Sequence, residues 1–230
     1  MRRLCIAAAA LVLGSCTRTH VLVAPEARAV PVRRIAVMDF AYNYSDKPSA
    51  KIMNVLLAGS YVNPGAGRLV AERLGAELMR TGRYRIVERS QIDKLLGEHQ
   101  FQKTDFASLD GVRRLGKLLG VDAIVVGTVD LFQITWVLFY VRSDVGFSAR
   151  LVDVESGEVL WAARARRSFF YGAPEDAADG LVSKLASEVD AALSGSGPGG
   201  ELAPQETSQA PPAATGPAEP PPAAAPEAGR

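Results

Sequence analysis

Cysteine is nearly missing from this chain: 230 residues hold two, Cys5 and Cys16, and the 214 positions after Cys16 hold none. No disulfide framework can therefore hold the main body together. A domain of about 160 residues needs none, because a core of that size buries enough apolar surface. Histidine is as scarce, with only His20 and His99, and no Cys or His pair stands at metal-ligand spacing. The formal net charge is only +1, which leaves no electrostatic footprint for a nucleic-acid partner. No Gly-x-Gly-x-x-Gly or phosphate-loop motif is present. No apolar run reaches the roughly eighteen residues that a membrane-crossing helix needs. Catalytic, cofactor-binding and metal-binding residues are all expected to be absent.

What the chain does have begins at its first residues. Met1-Arg2-Arg3 is a short basic segment, and a ten-residue apolar run, Leu4 to Leu13, follows it. As a helix this run spans about 15 Å, half the hydrocarbon thickness, so it reads as a secretory signal peptide over 1–15. Leu13-Gly14-Ser15-Cys16 resembles the bacterial lipobox, which implies acylation of Cys16 and palmitate-type chains on the mature N-terminus. Two or more chains give stable anchoring where one gives only reversible binding. Thr17 at the next position implies sorting to the outer membrane, facing the periplasm of a Gram-negative envelope.

Residues 16–31 show no period long enough to fold alone and are expected to act as a lipidated tether. At the other end, 195–230 is expected to be a disordered Pro/Ala-rich tail. Nine of the fourteen prolines lie between Ser194 and Arg230, and Leu202 is the one large apolar residue there. Extended at about 3.1 Å per residue, such a tail reaches roughly 100 Å, as a probe or as inert solvated chain.

Residues 32–194 read as one domain. Strands are expected at Arg33–Phe40, Tyr84–Val87, Val121–Val129, Val145–Val154 and Glu158–Arg167. Glu155-Ser156-Gly157 supplies a tight reversal between the last two. A long loop, Ala41 to Asn63, is a functional candidate by its length. Helices are expected from Asn63-Pro64, with Leu69, Val70, Leu74 and Leu78 inward; from a capping box at Ser90; from about Ser108, with Val112, Leu115 and Leu119 inward; and from Pro174, with Leu181, Leu185 and Val189 inward. The fold class is α/β, an α+β sandwich: a mixed sheet of about five strands with helices packed on it, in the order β-α-β-α-α-β-β-β-α.

Two stretches carry a resemblance. One is the strand and capped helix Tyr84-Arg85-Ile86-Val87-Glu88-Arg89-Ser90-Gln91-Ile92-Asp93-Lys94-Leu95-Leu96. The other is Val145 to Trp161, a strand, a Ser-Gly-Glu turn and a return strand. With Gly120 to Gly127 between them, they are similar to the curli-secretion lipoprotein family of the CsgG and HfaB type. Lipoproteins that activate penicillin-binding proteins, of the LpoB type, share a similar fold. The resemblance implies an envelope protein partner in assembly or secretion, a peptidoglycan synthase among the alternatives, and side-by-side packing into a ring homo-oligomer. Its pore-forming members give two β-hairpins per protomer to a shared barrel. Here Asp130–Gly146 and Phe169–Ala173 are too short for two membrane-crossing hairpins, so no complete transmembrane hairpin is expected. A secretion-channel subunit is the alternative.

Three smaller features stay open. Leu131 to Val141 is either an exposed apolar contact surface, with Trp136, Phe139 and Tyr140 as its test residues, or a lengthened strand pair packed under the helices. Asn63-Pro64-Gly65-Ala66-Gly67 is either an anion site at a helix start or the chemistry of that start itself. Arg150, Arg164 and Arg166 alternate along adjacent strands as a basic stripe or a merely solvated face. An enzyme would require Asp39, Asp122 and Asp130 to converge.

Overall fold

The computed structural model describes residues 16–42, 58–98, 108–138, 140–196 and 200–201. The expected leader, 1–15, lies outside them, as do most of the expected tail and Phe139.

A nine-stranded mixed sheet organises the described residues. Its strands are β1 (Cys16–Val23), β2 (Arg34–Val37), β3 (Ala41–Tyr42), β4 (Ala58–Val62), β5 (Arg85–Ile86), β6 (Ala123–Val137), β7 (Tyr140–Asp153), β8 (Val159–Phe170) and the two-residue β9 (Gly200–Glu201). Four helices cover it: α1 (Ala66–Arg80), α2 (Arg89–Glu98), α3 (Leu109–Leu119) and α4 (Pro174–Leu193). The sheet runs β5-β2-β6-β7-β8-β1-β9 and is open. β3 and β4 pair with β6 further along the same edge that β2 occupies, opposite β7.

The five expected strands and four expected helices all form, and the expected inward residues are buried or half-buried. Their local chemistry explains their limits. Ser108 caps α3 by accepting from the Gly111 N–H, and Gly120 closes that helix at φ 60°. Pro174 opens α4 with Glu175 and Asp176 in its first turn. At α2 the capping box does not form: the helix starts at Arg89, and Glu88 receives the Ser90 backbone N–H at 2.8 Å and the Ser90 hydroxyl. These bonds hold the Glu88 carboxyl below the usual carboxylate range, chiefly through the Ser90 hydroxyl.

Two expectations are corrected. The sheet has more than five strands, and the segment expected as a free tether opens with one of them. β1 lies antiparallel to β8 over its whole length, from Cys16 opposite Ser168 to Val23 opposite Trp161. Val21 and Val23 are buried, and the Thr19 hydroxyl donates to Glu188 on α4 at 2.7 Å. A single turn, Pro25–Arg28, then leads to β2. The chain after Cys16 is thus held in the sheet by pairing with β8. Part of the expected long loop also folds, as β4.

The apolar stretch after Val129 is a lengthened strand pair. Past a bulge between Val129 and Leu131, the hairpin continues in register from Leu131 opposite Gly146 to Val137 opposite Tyr140.

Helices α1 and α4 pack on one face of the sheet over Val37, Val125, Phe147, Trp161 and Ala165, all buried in one cluster. Helices α2 and α3 cover only one end of the other face, over Ala36, Met38, Ile124, Val126, Val152 and Val154. Among the described residues the rest of that second face carries no helix, and the candidate site lies there.

Candidate functional site: a bare sheet face and its apolar end

Alternation along the strands decides what the bare face shows. On β8, Trp161, Ala163 and Ala165 point into the α1/α4 core, so Ala162, Arg164 and Arg166 point the other way. Register then builds rows across the sheet. Arg166 stands opposite Arg18 of β1 and Gly146 of β7; Arg164 opposite His20 and Ser148; Ala162 opposite Leu22 and Arg150. Arg150, Arg164 and Arg166 share one face, and β1 adds Arg18 and His20 from the segment expected as a tether.

Arg18, Arg150, Arg164 and Arg166 are all exposed, and none has an ion-pair partner among the described residues. Arg18 directly opposite Arg166 is a like-charged cross-strand pair, an arrangement that costs stability. Towards α2 the face hollows into a groove of about 930 Å³. Its floor includes Val126, Gly127, Ser148, Ala149 and Ala162; Arg150, Arg164 and His20 rim one side, and Met38, Leu96 and Arg89 the other. Asp39 also lines it, but forms an ion pair with Arg89, which donates in addition to the Val37 carbonyl at 3.1 Å.

At the hairpin end of the sheet, apolar side chains gather in solvent. Leu138 is 62% exposed, Tyr171 71% and Tyr61 55%. Tyr140 packs edge-on against Phe170, ring centroids 5.1 Å apart, and both stay exposed. Of the three expected contact residues, Tyr140 belongs to this group. Trp136 is half-buried, its ring lying on Gly59 of β4, where a Cβ would come within 2.3 Å of it. Behind the rim, Asp144 is buried and accepts from Arg142 at 2.8 Å and from the Ser168 hydroxyl. Ser168 is the residue opposite Cys16.

The three aspartates do not converge. Asp122 sits before β6, and its Oδ2 accepts the Arg33 and Arg34 N–H groups, each at 2.8 Å. Asp130 lies eight residues further along, about 26 Å away in an extended strand. Asp122 is thus a structural acceptor. Asp122→Ala is expected to cost about 1–2 kcal/mol in urea denaturation, for two lost charge-assisted bonds in a solvated setting.

The glycine-rich start of α1 also has a structural account. Asn63 Oδ1 accepts the Gly65 N–H at 2.9 Å, while its Nδ2 donates to Glu175, so a carboxylate already sits beside the supposed anion site. Gly67 meets the Phe40 carbonyl where no side chain fits. Among the described residues no group of three or more His, Cys, Asp or Glu is placed to hold a metal.

A family model for the curli production assembly/transport component CsgG matches residues 21–135, half of the chain. The chain belongs to the CsgG family. The match begins inside β1, taking in Val21 to Val23 of that strand, and ends near the tip of β6. No curated protein matches the chain in sequence. Among solved structures, lipoprotein GNA1162 from Neisseria meningitidis is similar over 71% of this chain and 99% of its own, with 19% identity and a TM-score of 0.50. That likeness is one of fold. The PelC dodecamer from Paraburkholderia phytofirmans covers 75% of this chain and 96% of its own, at 16% identity and TM-score 0.46. The LpoB C-terminal domain from Salmonella enterica covers 59% and 82%, at 11% identity and TM-score 0.38.

Proposed function

We propose that this CsgG-family protein is a non-catalytic, lipid-anchored component of envelope assembly or secretion, tethered through Cys16 and working by protein–protein contact at the membrane surface. One observation carries the reading. β1 starts at Cys16 in register with Ser168, two residues before exposed Phe170, so the anchor and the exposed apolar end share one end of the sheet. With the strand beginning at the acylated residue itself, the domain is held against the leaflet. The apolar end around Leu138, Tyr140 and Tyr171 is then presented where envelope machinery sits. The outer edge of β1 from Cys16 to Val21 has no strand partner among the described residues, which gives a second copy or a partner a strand to pair with. A ring of copies belongs to the same proposal.

The geometry supports this reading over a channel subunit. Beyond the bulge each arm of the β6–β7 hairpin has seven paired residues, against roughly 9–11 for a membrane-crossing strand. Phe132 and Val145 within those arms are buried in the α1/α4 core.

Cys16→Ala tests the anchor. The wild-type chain is expected in the membrane fraction with a mass shift from its acyl chains; the variant loses both. Unchanged fractionation of Cys16→Ala would remove the proposal's foundation. A photo-crosslinker at Tyr140 in intact cells is expected to give a discrete adduct that one at Arg68, exposed on α1, does not.

A further inference from the structure

Four arginines with no ion-pair partner among the described residues lie on one sheet face, starting two residues after the cysteine read as the lipid anchor. We infer that this face is a binding surface for the anionic phosphate headgroups of the leaflet into which the Cys16 acyl chains insert. The inference rests on the proposed anchoring.

Position, charge and shape all point the same way. Arg18 and Arg166 form the row next to that of Cys16 and Ser168, at about 7 Å along the strands; Arg164 follows at about 13 Å and Arg150 at about 20 Å. A chain acylated at Cys16 therefore carries these guanidinium groups within a side chain's reach of the headgroup layer when the face tilts down. Arginine suits the task, since its planar fork binds a phosphate through two parallel N–H bonds. The like-charged pair Arg18 and Arg166 is relieved by a counter-anion between them, and no carboxylate of the described residues supplies one. Helices α2 and α3 stand on the far end of the same face and hold that end off the bilayer, so contact is a slant with the hairpin end lowest. The groove between Arg150 and α2 stays open for a headgroup entering from the arginine side.

Every described element lies within residues 16–201, so the mature chain from residue 16 retains the fold, and Cys16→Ala removes the acyl chains from the measurement. Co-sedimentation of this chain with vesicles of phosphatidylcholine, with and without one-third phosphatidylglycerol, reads the headgroup term alone. Binding is expected with phosphatidylglycerol only, and to fall as salt rises. The triple variant Arg150→Glu, Arg164→Glu, Arg166→Glu is expected to weaken it by roughly tenfold or more, since each basic residue near an anionic surface contributes to the attraction. The control pair Arg68→Glu, Arg80→Glu, on exposed α1 positions, leaves it within about twofold. Circular dichroism checks that the triple variant is folded, and an unfolded one is replaced by the single Arg164→Glu, expected to lose severalfold. Equal binding to both vesicle types overturns the inference, as does a folded face variant that binds like the control pair. Because no acyl chain is present, either result leaves the Cys16 anchor standing; loss of the anchor shows instead in the fractionation of the full-length chain.

Discussion

Trp161→Ala is expected to destabilise the domain by about 3–5 kcal/mol, the range for removing a fully buried tryptophan. Trp161 has no solvent exposure and stands on β8 opposite Val23 of β1 and Leu151 of β7, so its ring lies in the core that joins the edge strand to the sheet. Its cluster includes Leu181, Leu185 and Val189 of α4, Leu78 of α1 and Tyr84, whose hydroxyl is pushed up by the same burial. Truncation leaves a void that the sheet cannot close without pulling β8 towards the helices, and β1 follows. A typical domain of this size has about 5–15 kcal/mol in total, so the loss is at least about a fifth of it and at the lower end nearly all. Urea denaturation followed by far-ultraviolet circular dichroism reads the shift as a lower midpoint at unchanged slope. Trp136 is the internal comparison. Its ring lies half-buried on Gly59, and Trp136→Ala is expected to cost less than half as much. Equal losses at the two tryptophans would show that the assigned core is misplaced.

Much of this fold was legible because its strongest signals are local and periodic. The near-unbroken apolar run after Gly120, the Ser-Gly turn between β7 and β8, and the inward leucines of α1, α3 and α4 each state their own structure. β1 was missed for a physical reason. Thr17, Thr19, Val21 and Val23 alternate with Arg18, His20 and Leu22, a period of two, but half of its inward side is threonine. Threonine is a good strand former and a poor hydrophobic marker. What fixes β1 is pairing with β8 some 145 residues later, and no local window shows that. β4 escaped for a similar reason, since its Gly59 is permitted only by the ring of Trp136 across the ladder.

The candidate site was legible only in part. Arg150, Arg164 and Arg166 read as a stripe by alternation alone, yet their meaning depends on Arg18, which sat in a segment read as tether. Once β1 is in the sheet, a scattered set of surface arginines becomes one continuous charged face beginning beside Cys16. Trp136 is a different case: of the two readings open for its segment, its ring lies half-buried on a glycine, while Leu138 and Tyr171, with φ of 53° and 57°, hold the exposed turns.

Gly67→Ala is the second large effect, at about 2–3 kcal/mol, and it separates two meanings of a glycine-rich helix start. A Cβ built on Gly67 comes within 2.1 Å of the Phe40 carbonyl oxygen, and that oxygen is backbone, with no flexible end to swing away. The Phe40 N–H in turn donates to the Gly67 carbonyl at 3.3 Å, so the first turn of α1 and the chain after β2 are clasped from both sides. Alanine must push them apart. The push reaches the Phe40 ring, which packs against Phe147 at 6.2 Å between centroids and against Gly127 on the groove floor. The loss should therefore appear in both the urea midpoint and the protection of β6 amides around Gly127 from hydrogen exchange. Gly97→Ala in α2 has open space around it and is expected to go the other way, gaining about 0.5 kcal/mol from helix propensity. If Gly67→Ala were neutral, the clasp would carry no load, and the glycines before α1 would need another reason, with an anion at the helix start the first to test.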